Sequence, residues 1–106
     1  VLFRSMNYYN AVVKTLGAAT VQKSMRFFMV PGMGHGPGTN GEENFNFDAL
    51  GVIEQWKEGG KVPNELVVAH FKNGQDVGKR LVCQFPRVAR YKGAGNPEET
   101  ASYTCR

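Results

Sequence analysis

Cysteine is scarce in this chain, which holds only Cys83 and Cys105. Two thiols form at most one bridge, so a disulfide-dense miniature scaffold is excluded, and their spacing is not the CxxC of a zinc or redox site. No run of about 18 apolar residues occurs, which leaves nothing able to span a membrane, and the start lacks the apolar core of a signal peptide. Acid is missing from the first part altogether. The first carboxylate is Glu42, and the residues before it carry only Arg4, Lys14, Lys23 and Arg26, so the net charge of +4 is the charge of that stretch alone. What is present is ordinary globular material: 42% hydrophobic and 21% charged residues, with seven phenylalanines, four tyrosines and one tryptophan. With 106 residues there is room for one small domain, too little for a two-domain enzyme and short for a self-sufficient α/β hydrolase.

The periodicity predicts a helix over residues 6–16, with Met6, Tyr9, Val12, Val13 and Leu16 on one face and Gly17 at the position of a terminating glycine. Residues 18–25 read as a short helical turn. The run Arg26-Phe27-Phe28-Met29-Val30 is apolar on both faces and stops at Pro31-Gly32, the pattern of a buried strand in a mostly parallel sheet. Residues 31–41 (PGMGHGPGTNG) can only be a loop. A second helix is expected over 47–57, with Ala49, Val52, Ile53 and Trp56 forming its stripe, Asp48 helping to start it, and Gly51 weakening it by roughly 1 kcal/mol. Residues 65–71 form the next strand candidate, followed by the hairpin signal Asn73-Gly74. Residues 75–80 are too polar to read as a strand. The tail from residue 81 shows little periodicity; a bridge between its two cysteines would stabilise it by roughly 3 kcal/mol.

His35, flanked by Gly34 and Gly36, is the strongest candidate for chemistry. An imidazole in a glycine-rich loop at the end of a buried strand sits where an α/β hydrolase presents its general base. The other candidates read as structural. Of Tyr8 and Tyr9, one is expected in the core and the other at the surface. Trp56 belongs to an apolar stripe, and His70 shares a strand face with Leu66 and Val68. Lys79, Arg80, Arg87, Arg90 and Lys92, with Phe85 and Tyr91 among them, have the composition of a single-strand nucleic-acid surface, but no motif accompanies them, and no nucleic-acid partner is expected.

Taken in order, Phe27-Phe28-Met29-Val30-Pro31-Gly32-Met33-Gly34-His35, Asn46-Phe47-Asp48-Ala49-Leu50, Trp56, Gly60-Lys61-Val62-Pro63, the run from Val88 to Gly95 (VARYKGAG) and Tyr103-Thr104-Cys105 resemble the C-terminal part of the tannase and feruloyl esterase family. Tyr8-Tyr9-Asn10-Ala11-Val12-Val13 is similar to the helix that precedes the family's catalytic strand. The resemblance implies the C-terminal portion of an α/β-hydrolase fold: an incomplete sheet with flanking helices and an irregular tail pinned by a Cys83–Cys105 disulfide. It also implies a serine esterase, secreted or periplasmic, that acts on small esters of galloyl- or feruloyl-type aromatic acids and uses His35 as its general base.

Two departures accompany the resemblance. Gly36 stands where family members commonly carry a cysteine bonded to the one before the serine. Ser5 and Ser24 are not in a nucleophile elbow and no acid precedes His35, so the triad serine and aspartate, the lid and the family's calcium site are expected outside this chain, with no cofactor held within it. Val1 to Ser5 do not resemble the family and match one reading frame of a common sequencing adaptor; they are expected to be a non-native leader, with residues 6–106 forming the end of the catalytic domain. The isolated chain is then expected to be inactive and to expose apolar surface. The competing expectation is a small basic module that binds an anionic polymer.

Overall fold

The computed structural model describes residues 2–33 and 43–106. Helix α1 (Leu2–Leu16) starts earlier than the periodicity indicates and sends Tyr9 into the core, 4% exposed, while Tyr8 remains 66% exposed. Met6, Val12 and Val13 are half-buried along the same face, and Leu16 is exposed. Gly17 takes φ 81° and its N–H donates to the Val13 carbonyl at 2.8 Å, the left-handed ending for which glycine is suited. A single further turn, α2 (Ala18–Val21), buries Val21.

The expected buried parallel strand at 26–30 is instead an extended segment with one antiparallel bridge, Phe28 to Gln84. Its two apolar faces meet two different neighbours, which gives the same sequence pattern as a strand covered on both sides. Phe27 joins Tyr9 and Phe85 in a cluster of three rings with centroids 5.3–5.8 Å apart. Phe28 and Val30 pack on the other side, against Leu66, Val68 and Val82.

That small core lies on one face of an antiparallel sheet of strands β1 (Glu43–Asn46), β2 (Glu65–Lys72) and β3 (Gln75–Cys83), in the order β1-β2-β3. Every strand pairing among the described residues is antiparallel, so the sheet they form is not the mostly parallel one anticipated. Along β2, Leu66, Val68 and His70 are buried, with period two. Asn73 and Gly74 both adopt positive φ, 51° and 76°, as the two-residue hairpin requires. Residues 75–80, too polar to signal a strand, form the outer half of β3. Hairpin hydrogen bonds with β2 hold them while residues 75–79 are exposed and Arg80 is half-buried.

Helix α3 (Ala49–Lys57) begins at its cap: the Asp48 carboxylate accepts the Gly51 N–H at 3.0 Å. A Cβ on residue 51 would stand 2.9 Å from Asp48 Cγ, so the glycine that costs helix propensity is the one that admits the cap. Of the apolar stripe, Val52 reaches the core, Trp56 is half-buried, and Ala49 and Ile53 stay exposed, as does neighbouring Leu50.

The tail contains a ladder too short to leave a periodic trace. Strands β4 (Ala89–Tyr91) and β5 (Tyr103–Cys105) pair antiparallel, and Val88 and Arg106 extend the pair with reciprocal backbone hydrogen bonds of 2.7 and 3.0 Å. The connection between the strands is closed by Tyr91 Oη on the Gly95 carbonyl, Tyr103 Oη on the Pro97 carbonyl and Lys92 Nζ on the Ala101 carbonyl. The Cys83–Cys105 disulfide joins this ladder to the end of β3.

The chain exposes 7794 Å², against about 5,900 Å² for a compact monomer of its mass. Exposed Phe3, Leu50, Ile53, Val67 and Val88 account for part of the difference. No helix among the described residues is long and apolar enough to cross a membrane.

Two outcomes follow from this arrangement. Replacing both cysteines with alanine is expected to remove about 3 kcal/mol and to speed proteolytic cleavage within residues 86–104; equal cleavage rates with and without the bridge would contradict the pinning role. Asp48→Ala is expected to lower stability in urea titration by about 1 kcal/mol, with Asp48→Asn retaining most of it.

Candidate active site

The described residues frame the glycine-rich loop from both ends. On the entry side, the extended segment 26–30 turns at Pro31-Gly32, where the Met33 N–H reaches the Val30 carbonyl at 3.5 Å. On the exit side, β1 pairs with the tip of the β2–β3 hairpin, Glu43 opposite Lys72 and Asn46 opposite Ala69, and α3 follows with its Asp48 cap. His35 and Gly36 lie outside the described residues.

The entry segment is fastened by a knot of polar groups that sequence patterns do not signal. The Phe85 N–H donates to the Phe27 carbonyl at 2.8 Å, and the Gln84 N–H donates to the Asn64 carbonyl at 3.1 Å. Gln84 is 6% exposed, and its Nε2 donates to Gln22 Oε1 at 3.0 Å. Arg26 binds three neighbours at once: Nη1 donates to the carbonyls of Gln22 and Met25 at 2.6 and 2.9 Å, and Nε donates to Asn64 Oδ1 at 3.4 Å. The same guanidinium lies over the Trp56 ring, 5.1 Å from its centroid, a contact worth about 0.5–1 kcal/mol at an exposed site. Trp56 therefore is more than stripe filler: it couples α3, which follows the loop, to the segment that precedes it. Isolated glutamines and asparagines have no period to betray them, and the only hint was a basic residue opening an apolar run.

The other candidates are accounted for by packing. Asp48 caps α3, as its position indicated. His70 is buried and stacks face to face on Phe45, with centroids 4.5 Å apart. The basic residues near the tail do not form one unoccupied surface: Arg87 donates to the Asn64 carbonyl, Lys92 to the Ala101 carbonyl, and Arg80 meets Glu98 at 3.8 Å. Among the described residues, no group of three or more His, Cys, Asp or Glu could hold a metal ion.

Comparisons with known proteins agree on one family. The model of the tannase and feruloyl esterase family matches residues 3–106. An uncharacterized esterase of Agrobacterium fabrum is 32% identical over 98 residues, covering 92% of this chain and 17% of its own length. A mono(2-hydroxyethyl) terephthalate hydrolase of Piscinibacter sakaiensis is 35% identical over 88 residues, covering 76% of this chain and 13% of its own length. A probable feruloyl esterase B-2 of Neosartorya fischeri is 35% identical over 118 aligned positions, covering 92% of this chain and 22% of its own length. The crystal structure of an esterase from Aspergillus oryzae superposes with a TM-score of 0.77 at 26% identity, over 96% of this chain and 24% of that one. The antiparallel sheet and its helices are thus one part of an α/β-hydrolase-type fold, and the chain spans under a quarter of the length of these relatives.

Arg26→Ala severs the attachments of one guanidinium to α2, Asn64 and Trp56. It is expected to lower the unfolding midpoint by an amount equivalent to about 1–2 kcal/mol, with Arg26→Lys falling between; an unchanged midpoint would show the contact to be idle.

Proposed function

The chain belongs to the tannase and feruloyl esterase family, and from that premise we propose that it supplies the general-base histidine, His35, of a serine esterase acting on esters of aromatic carboxylic acids. The observation that carries this reading is the match along nearly the whole chain, which contains the segment Val30-Pro31-Gly32-Met33-Gly34-His35. Two of these relatives, the terephthalate hydrolase and the probable feruloyl esterase, point to the substrate class, since feruloyl and terephthalate esters both carry an aromatic acyl group. In this reading, residues 6–106 are the end of the catalytic domain, and the serine, the aspartate, the lid and any calcium are carried elsewhere in the polypeptide.

The chemistry assigned to His35 is proton traffic. The serine hydroxyl attacks the ester carbonyl carbon, and the imidazole accepts the hydroxyl proton as the carbon–oxygen bond forms. When the tetrahedral intermediate collapses, the imidazolium gives that proton to the departing alcohol. Water then attacks the acyl-enzyme by the same route and releases the acid. Histidine is the side chain that most readily both takes and gives a proton near neutrality, which suits this role. The frame around the loop supports this role, because a base must hold its nitrogen within about 3 Å of the serine oxygen. Gly36 leaves the loop without the cysteine tether common in the family, which throws more of the positioning onto that frame. The Cys83–Cys105 bridge supports an oxidising compartment, secreted or periplasmic.

The test is hydrolysis of methyl ferulate and methyl gallate by the complete esterase polypeptide, with methyl acetate as the comparison that lacks an aromatic acyl group. His35→Ala is expected to cut kcat by a factor on the order of 10³ or more, and survival of activity in that variant would remove the assignment. The 106-residue chain alone is expected to give no turnover that depends on His35.

A further inference from the structure

We propose that Glu65 is an electrostatic guard of the Cys83–Cys105 bridge: its carboxylate repels thiolate anions from Cys105 Sγ, the sulfur at which thiol–disulfide exchange begins. The two sulfurs are not equivalent. Cys83, the last residue of β3, is 5% exposed, whereas Cys105, the last residue of β5, is half-buried. Glu65 stands opposite Cys83 in the β2–β3 register, and its side chain reaches the other sulfur, with Oε2 3.6 Å from Cys105 Sγ. That side chain is exposed, and among the described residues no base is ion-paired with it. Arg87 comes near, but its guanidinium donates to the Asn64 carbonyl at 3.3 Å. The negative charge beside Cys105 therefore has no cation bound to it.

Exchange needs a thiolate to attack one sulfur while the other leaves as a thiolate. Attack on Cys105 Sγ forms a mixed disulfide there, breaks the S–S bond and releases the Cys83 thiolate. A second thiolate then attacks the reductant's sulfur and displaces the Cys105 thiolate. The two reductant molecules depart as their own disulfide, having given two electrons to the bridge, and each cysteine takes up a proton from water. Attack on Cys83 Sγ is closed by burial. On the open route the carboxylate opposes both steps, first the incoming anion and then the thiolate that Cys105 becomes. A like charge about 4 Å away changes a rate roughly fivefold in water, and salt near 1 M shortens its reach to about 3 Å. Packing makes no such demand on residue 65, since a neutral polar side chain would suit an exposed strand end equally well. The bridge fastens the tail ladder to the sheet, so a guard on Cys105 keeps the tail pinned where thiols are present.

The experiment follows loss of the Cys83–Cys105 bridge in the complete esterase polypeptide, by mass spectrometry of the linked peptides, under reduced glutathione or under the uncharged tris(hydroxypropyl)phosphine. Glu65→Gln is expected to speed reduction by glutathione roughly fivefold in low salt, the gain shrinking below about twofold in about 1 M NaCl. Glu65→Asp, which keeps the charge, is expected to lie closer to the parent. The phosphine carries no negative charge and becomes cationic as it bonds to sulfur, so Glu65→Gln is expected not to speed its reaction. Glutathione trapped on Cys105, with Cys83 as the free thiol, completes the expected result. An unchanged glutathione rate in Glu65→Gln or a gain that survives high salt would overturn the proposal. So would equal acceleration with both reductants, the mark of a loosened strand end, or glutathione trapped chiefly on Cys83.

Discussion

The clasp between residues 27–28 and 84–85 is the contact on which the remainder of the structure depends. It is the point where the first part of the chain, two helices and an extended segment, meets the end of the hairpin sheet. The Tyr9, Phe27 and Phe85 rings close on one side of it, and Phe28 with Val30 completes the core of Leu66, Val68 and Val82 on the other. Cys83 then passes the constraint through its disulfide to the tail ladder. Remove the clasp and three pieces remain, none with an apolar face large enough to hold itself together.

The small core and the large exposed surface are two views of one fact. Six apolar residues are buried among the described residues, and the stability they supply is supplemented by a disulfide, a capped helix, an arginine shared among three elements and a hydrogen bond between two amides. This is the distribution expected of a region whose other apolar faces, such as Leu50 with Ile53 and Val67, have no cover among the described residues. It also fits the coverage of its relatives, in which the same segment is under a quarter of the chain.

Features governed by local rules were legible in the sequence. The stripe ending at Gly17, the Asn73-Gly74 turn, the Asp48 cap and the division of labour between Tyr8 and Tyr9 each follow from spacing or from one residue's backbone preference. Features governed by distant partners were not. The polar outer half of β3 is a strand because β2 lies beside it, and nothing in Gln75 to Arg80 announces that partner. Segment 26–30 carried the pattern of a twice-covered strand, but its cover comes from a helix and a ring on one side and a hairpin on the other. Gln22, Asn64 and Gln84 form the knot at the loop entrance without any periodic signature. His35 drew notice through its place in a glycine-rich loop after an apolar run, and the family resemblance then gave that histidine its expected role.

The bond between Gln22 and Gln84 spans 62 positions, and that span has a meaning in time as well as in space. At synthesis rates of about 5–20 residues per second, the acceptor waits roughly 3 to 12 s before its donor exists. From its own synthesis until that interval closes, the Phe27-Phe28-Met29-Val30 run lacks its backbone partner at Gln84, and for most of it lacks its hairpin cover as well. The most apolar stretch of the chain is thus made early and sheltered late, so the burden of keeping it from other chains falls on the cell rather than on the fold.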